Sequence, residues 1–179
     1  MLAEAGGRAL AKVINKFKYL KNCGYVTYTK LFESTVEPVL NYGSEIWGFG
    51  HFPKCDIVVH RAMRYFLGVH KLAPVPALYG DMGWMYNRFK RYISMIRYWN
   101  RLIKMDRTRL TRIVFDYFHD KNMGTWCHDM IQICGMLNMN DVYVRKETFC
   151  ITGIKQKFMD IMAEECKKIC YCKTEIEIV

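Results

Sequence analysis

The segment Phe32 to Gly48, reading FESTVEPVLNYGSEIWG, constrains the fold more than any other part of the chain. Phe32, Val36, Val39, Gly43 and Ile46 recur at helical spacing, which gathers them on one face that must be buried against a neighbour. Gly43 removes a side chain from that face, where a second backbone could approach closely, and Tyr42 and Trp47 add large rings whose polar ends need partners. Pro38 has no N–H, and its ring collides with the preceding turn. The run therefore reads as two helices or one kinked helix, with the break just before Val39.

The same periodicity recurs along the chain. Glu4 to Lys21 places Leu10, Val13, Ile14, Phe17 and Leu20 on one side and lysines between them, a basic amphipathic helix that stops near Asn22 to Gly24. Thr27 or Thr29 can cap the helix that carries Lys30, Leu31 and Phe32. Asp56 to Leu67 is helical and ends at Gly68, and Pro74 and Pro76 suit the start of a short helix through Leu78 and Tyr79. Met85 to Lys104 has the clearest pattern: Met85, Phe89, Tyr92, Ile93, Ile96, Trp99 and Ile103 span an arc of about 120°. Thr108 to Phe118, with Leu110, Val114 and Phe118 in register, Trp126 to Leu137, and Lys155 to Ile169 are further helices. Asn138 to Val144 fits either a short helix or an extended piece, and TEIEIV at the C-terminus alternates as a strand would. The expected fold is all-α or mainly α, an irregular bundle of about seven to nine helices.

At 179 residues, 51% of them hydrophobic and 25% charged, the chain has ordinary globular content and enough length to bury a core. The net charge of +10 favours an acidic partner, of which nucleic acid is the first expectation. No run of apolar residues is long enough to span a bilayer, and charges at Glu4, Arg8, Lys12, Lys16 and Lys18 are unlike a signal peptide. An intracellular place, nuclear or cytoplasmic, without membrane contact or secretion is expected. The eight cysteines then read as reduced thiols, mostly small core residues. Cys166, Cys170 and Cys172 are crowded but lack a C-x2-C pair and a nearby histidine, so no metal or other cofactor is assigned.

Catalytic patterns are missing from the sequence. No adjacent Asp-Asp pair is present to hold the divalent ions of a polymerase, and Glu164 and Glu165 point about 100° apart on a helix. There is no phosphate-cradling glycine loop and no G-x-S-x-G elbow. Cys55 near His51 or His60, and Cys127 beside His128, read as structural pairs. A binding pattern is present. Arg88 to Arg112 holds nine basic residues against one acid, Asp106, and arginine outnumbers lysine seven to two. A guanidinium fork matches phosphate oxygens bidentately, so Lys90, Arg91, Arg97, Arg101, Lys104, Arg107, Arg109 and Arg112 are the candidate nucleic-acid-binding residues.

Two strings carry a family resemblance. In Ala5 to Gly50, the residues Lys30, Leu31, Pro38, Leu40, Tyr42, Gly43, Ser44, Trp47 and Gly48 match a pattern found just after the catalytic palm in reverse transcriptases of LINE-type non-LTR retrotransposons. HRAMRYFLGVHKLAPVPALYGDMGW, His60 to Trp84, extends the similarity, which weakens after about Asn100. The resemblance implies a thumb-like helical region over residues 1–50 and a post-thumb helical region over 51–179, in one continuous compact unit. It implies a parent RNA-directed DNA polymerase whose thumb grips the template and primer duplex, a palm domain as the missing partner, and no enzymatic activity in this chain. Met1 just ahead of the thumb-like string is expected to mark a truncated or decayed copy. Two other readings are open at this level, a helical protein-interaction module docking through Tyr42, Trp47, Trp84 and Trp99, and a small zinc protein using Cys166, Cys170 and Cys172.

Overall fold

A computed structural model describes the backbone of residues 1–20 and 24–174 and the side chains of those residues through 168. Its helices are α1 (Leu2–Tyr19), α2 (Tyr25–Thr35), α3 (Glu37–Leu40), α4 (Ser44–Trp47), α5 (Pro53–Leu67), α6 (Val75–Met82), α7 (Asn87–Lys104), α8 (Leu110–Asp120), α9 (Thr125–Met136), α10 (Asn140–Val144) and α11 (Ile151–Thr174). The fold is all-α, with no strand among the described residues. Eight helices reach eight residues or more; α3, α4 and α10 are single turns. The alternating C-terminal segment from Glu175, Cys23, and the side chains of Cys170 and Cys172 lie outside the described residues.

Contacts group the chain into two compact units, Met1–Tyr42 with His51–Asn87, and Gly43–Gly50 with Arg88–Val179. The thumb-like and post-thumb regions that the resemblance implies, 1–50 and 51–179 in one continuous unit, do not coincide with these units. The first unit packs α1 against α5, α3 and α2. Its core holds Leu10, Val13, Phe32, Val36, Leu40, Ala62, Met63 and Leu78 around an aromatic group. Tyr28 stacks on Phe66 at 4.9 Å, and Phe32 on Trp84 at 4.5 Å. The polar ends of the rings are satisfied as burial demands: the Tyr28 hydroxyl donates to the Ala62 carbonyl at 2.8 Å, and Trp84 Nε1 donates to Thr29 Oγ1 at 3.2 Å. Thr29 therefore works inside α2, and the N-cap is Gly24 rather than Thr27 or Thr29.

The Phe32 to Gly48 stripe is corrected by the structure. Phe32, Val36 and Leu40 are buried, but Ile46 is 56% exposed, Tyr42 is exposed and Trp47 is only half-buried. The helix breaks at Val36, two residues ahead of Pro38, which takes its place in the first turn of α3 where its missing N–H costs nothing. Gly43 adopts φ of +69° to turn the chain into α4, a conformation that favours glycine, and so ends the stripe instead of admitting a second backbone. The close approach is made at Gly48. A Cβ there would lie 3.1 Å from the Arg91 Cβ and 3.3 Å from the Arg91 carbonyl oxygen.

The second unit is built around Trp99 of α7, which is fully buried. Its ring meets Phe115 of α8 at 5.2 Å, Tyr143 of α10 at 5.0 Å, Phe149 at 5.9 Å and Trp126 of α9 at 6.4 Å. The indole nitrogen donates to the Glu147 carbonyl at 2.9 Å. One residue on, the Asn100 amide donates to the Phe149 carbonyl and accepts from the Phe149 N–H, both at 2.8 Å. These bonds fix residues 147–149 against α7 without regular structure. Asn138 to Val144 resolves as the single-turn α10, which lets Tyr143 reach Trp99. From α11, Phe158 stacks on Phe89 at 4.7 Å.

Candidate nucleic-acid interface

α7 forms because its apolar residues recur every three to four positions without proline or glycine from Asn87 to Lys104. Its buried arc is wider than the sequence pattern shows, since Met95 and Leu102 are buried along with Phe89, Tyr92, Ile93, Ile96 and Trp99. The polar face is correspondingly narrow. At 100° per residue, Lys90, Arg97, Arg101 and Lys104 fall within about 60° of one another and run for about 21 Å along the axis. Arg97, Arg101 and Lys104 are exposed, and Lys90 is half-buried.

Arg91 lies about 80° beyond the nearest of these and is buried, 1% exposed, its Nε donating to the Gly48 carbonyl at 3.2 Å. It holds the Gly43–Gly50 segment on α7 and does not face outward as expected. The ring of Phe49, stacked on Tyr92 at 5.4 Å, closes the same contact.

Arg112 is corrected in the same way. It is buried, and one of its terminal nitrogens donates to the Leu102 and Ile103 carbonyls at 2.7 and 2.6 Å. Those carbonyls belong to the last turn of α7, where the Leu102 carbonyl also accepts from the Met105 N–H at 3.1 Å, and a cation there meets the negative end of the helix dipole. Arg112 Nε pairs with Asp116 at 2.7 Å, and Lys146 Nζ lies 3.0 Å from Asp116 and 2.6 Å from Asp120. Burial raises the pKa of Asp116, but the hydrogen bonds from Arg112 and Lys146 outweigh it and hold the carboxyl below its ordinary range. This network fixes the corner between α7 and α8.

Arg107 and Arg109 lie on that corner, both exposed. Asp106 shapes it by accepting from the Thr108 N–H and hydroxyl, both at 2.8 Å, and these bonds lower its pKa. The one acid of the basic segment is thus committed to a turn. Among the described residues, Arg97, Arg101, Lys104, Arg107 and Arg109 enter no ion pair within 4.0 Å. Arg101 lies over the Tyr98 ring at 4.7 Å, which orients the guanidinium without neutralising it. Arg88, by contrast, is paired with Glu165 of α11.

Sequence reasoning missed Glu45. With Ser94, Arg97, Tyr98 and Arg101 it borders an open cleft of about 350 Å³ beside the stripe. Trp126 Nε1 donates to the Glu45 carbonyl at 2.8 Å and fixes that residue's backbone. No local pattern marks Glu45, because its place depends on a contact with α9.

Cys55 and Cys127 are buried, and burial raises the Cys127 thiol above its ordinary pKa. The docking role expected of Trp84 and Trp99 is corrected, since both are core residues. Among the described residues no helix is long and apolar enough to cross a membrane. No protein-family model, curated protein or solved structure matches the chain.

Proposed function

We propose that this chain binds a nucleic-acid backbone through the outer face of α7, as the thumb and post-thumb region of a LINE-type reverse transcriptase would, and performs no polymerase chemistry itself. The observation that carries the reading is the stripe of Lys90, Arg97, Arg101 and Lys104, three of them exposed and without an ion pair among the described residues. A surface helix normally sets Glu against Lys or Arg at i, i+4, and α7 contains no acid at all. The thumb-like strings of the first ninety or so residues supply the second support. A palm domain as partner, and a nuclear or cytoplasmic location, belong to the same proposal.

Side chains that follow phosphates without entering a groove position a duplex and read no bases. Binding is therefore sequence-tolerant. Four engaged cations give a slope of about −3.6 in log K against log salt on duplex DNA, at about 0.9 per phosphate. The test is a titration of the full chain with labelled duplexes of unrelated sequence at several salt concentrations. Replacing Arg97 and Arg101 together by Gln flattens the slope by nearly two units and weakens all duplexes alike, while helicity is unchanged because Gln is almost as good a helix former as Arg. A double variant that binds like the parent, or that loses one sequence only, overturns the proposal.

A further inference from the structure

Among the described residues, α8 has an apolar face with nothing packed over it. Leu110, Ile113, Val114, Tyr117 and Phe118 stand at i, i+3, i+4, i+7 and i+8, a full amphipathic stripe, and all five are exposed, from 38% for Phe118 to 74% for Leu110. The opposite side of the helix is the one that packs, through Arg112 and Phe115. Leu110, Val114 and Phe118 of α8 line an open groove of about 510 Å³ together with Tyr98 and Leu102 of α7 and Trp126 of α9. On α7 and α8 alike these residues form an i, i+4 ridge. Such ridges and the groove between them accept a third helix by ridge-into-groove packing.

The charge just ahead of α8, whose first residue Leu110 lines the groove, specifies the occupant further. Arg109 precedes Leu110 directly, and Arg107 lies in the same turn. Both are exposed and enter no ion pair among the described residues, while the neighbouring Asp106 is held by Thr108. We infer that the α8 groove is the docking site for an amphipathic helix of another protein, apolar at i, i+3, i+4 and i+7 and acidic at the end that meets Arg107 and Arg109. A helix of about three turns matches the length of α8, about 16 Å. A second copy of this chain is the poorer occupant, since it brings the same arginines and a net charge of +10 to a rim that is already positive. This inference does not rest on the phosphate-binding reading, which uses the outer face of α7.

The test uses the full chain and three labelled peptides about four turns long that share Leu and Ile at i, i+3, i+4 and i+7 and carry an acidic, a neutral or a basic end. The acidic peptide is expected to bind at least about tenfold more tightly than the basic one. Replacing Arg107 and Arg109 together by Glu is expected to reverse that order. Val114→Glu, at an exposed position, is expected to abolish binding of all three with the circular dichroism spectrum and melting temperature unchanged. Equal binding of acidic and basic peptides, binding that survives Val114→Glu, or no binding of any peptide overturns the inference. So does a concentration-dependent dimer that Val114→Glu dissolves, which makes a second copy the occupant. A loss of nucleic-acid affinity in Val114→Glu, with no peptide bound, overturns it as well and gives the groove to the nucleic acid.

Discussion

α7 and α8 read alike in the sequence, each an apolar stripe opposed by a polar face, and they end in opposite situations. The stripe of α7 is covered along its length, so that Met95, Ile96 and Trp99 are fully buried. The stripe of α8 faces solvent, and the side that packs is the one carrying Arg112. Amphipathic spacing states that a face gains by being covered, at roughly 25 cal/mol per Å² of apolar surface. It does not state that the cover is in the same chain. The arginines divide by burial instead: Arg91 and Arg112 are buried and structural, while Arg97, Arg101, Arg107 and Arg109 are exposed and enter no ion pair among the described residues.

Three substitutions sharpen or break this comparison. The largest effect is expected from Trp99→Ala, which deletes the centre of the second unit and costs about 4 kcal/mol, within the range for large buried aromatics. Denaturant unfolding measures it, and a loss under about 1 kcal/mol would remove Trp99 from the core.

Next is Arg112→Ala. It takes the guanidinium from the Leu102 and Ile103 carbonyls and from the Asp116 carboxylate, which keeps Lys146, and costs about 3 kcal/mol. The variant also has a pH signature. Because the folded pKa of Asp116 is lowered, its contribution is present above the unfolded carboxylate value, near 3.9, and is lost as pH falls through the folded value. Stability of the parent should therefore decline on acidification below about pH 4, and the decline should be shallower in Arg112→Ala. Parallel melting curves across that range would show that Asp116 is not stabilised by Arg112.

The smallest effect is expected from Leu110→Lys, which changes stability by no more than about 0.5 kcal/mol because the side chain already lies in water. A destabilisation as large as that of Arg112→Ala would mean that the α8 face is covered within the chain.

Helix existence was legible because periodicity is local: Asn87–Lys104, Pro53–Leu67 and Thr125–Met136 lie within a few residues of where the pattern put them. The roles of Arg91 and Arg112 were not. A buried arginine is defined by the carbonyls it finds, and Gly48 is distant from Arg91 in sequence. Arg112 is close to Leu102, yet the α7–α8 turn decides that they meet. Of the candidate interface, Arg97, Arg101 and Lys104 follow from the helical angle alone, and Glu45 follows from nothing local. The stripe of Phe32 to Gly48 ends at Gly43, where one residue with positive φ stops a periodicity that the letters continue.

The eight residues Gly43–Gly50 leave the first unit after Tyr42 and are counted with the second, while the chain returns to the first at His51. Neither unit is therefore an uninterrupted piece of polypeptide. During synthesis the segment emerges well before α7, so the Gly48 carbonyl and the Phe49 ring wait for Arg91 and Tyr92 while the rest of the first unit, through Asn87, is still being made. A fragment ending at Asn87 would carry that segment with nothing to receive it, and one beginning at Arg88 would lack it. No single cleavage yields two complete halves, and a construction that does would have to splice residues 43–50 onto the α7 side.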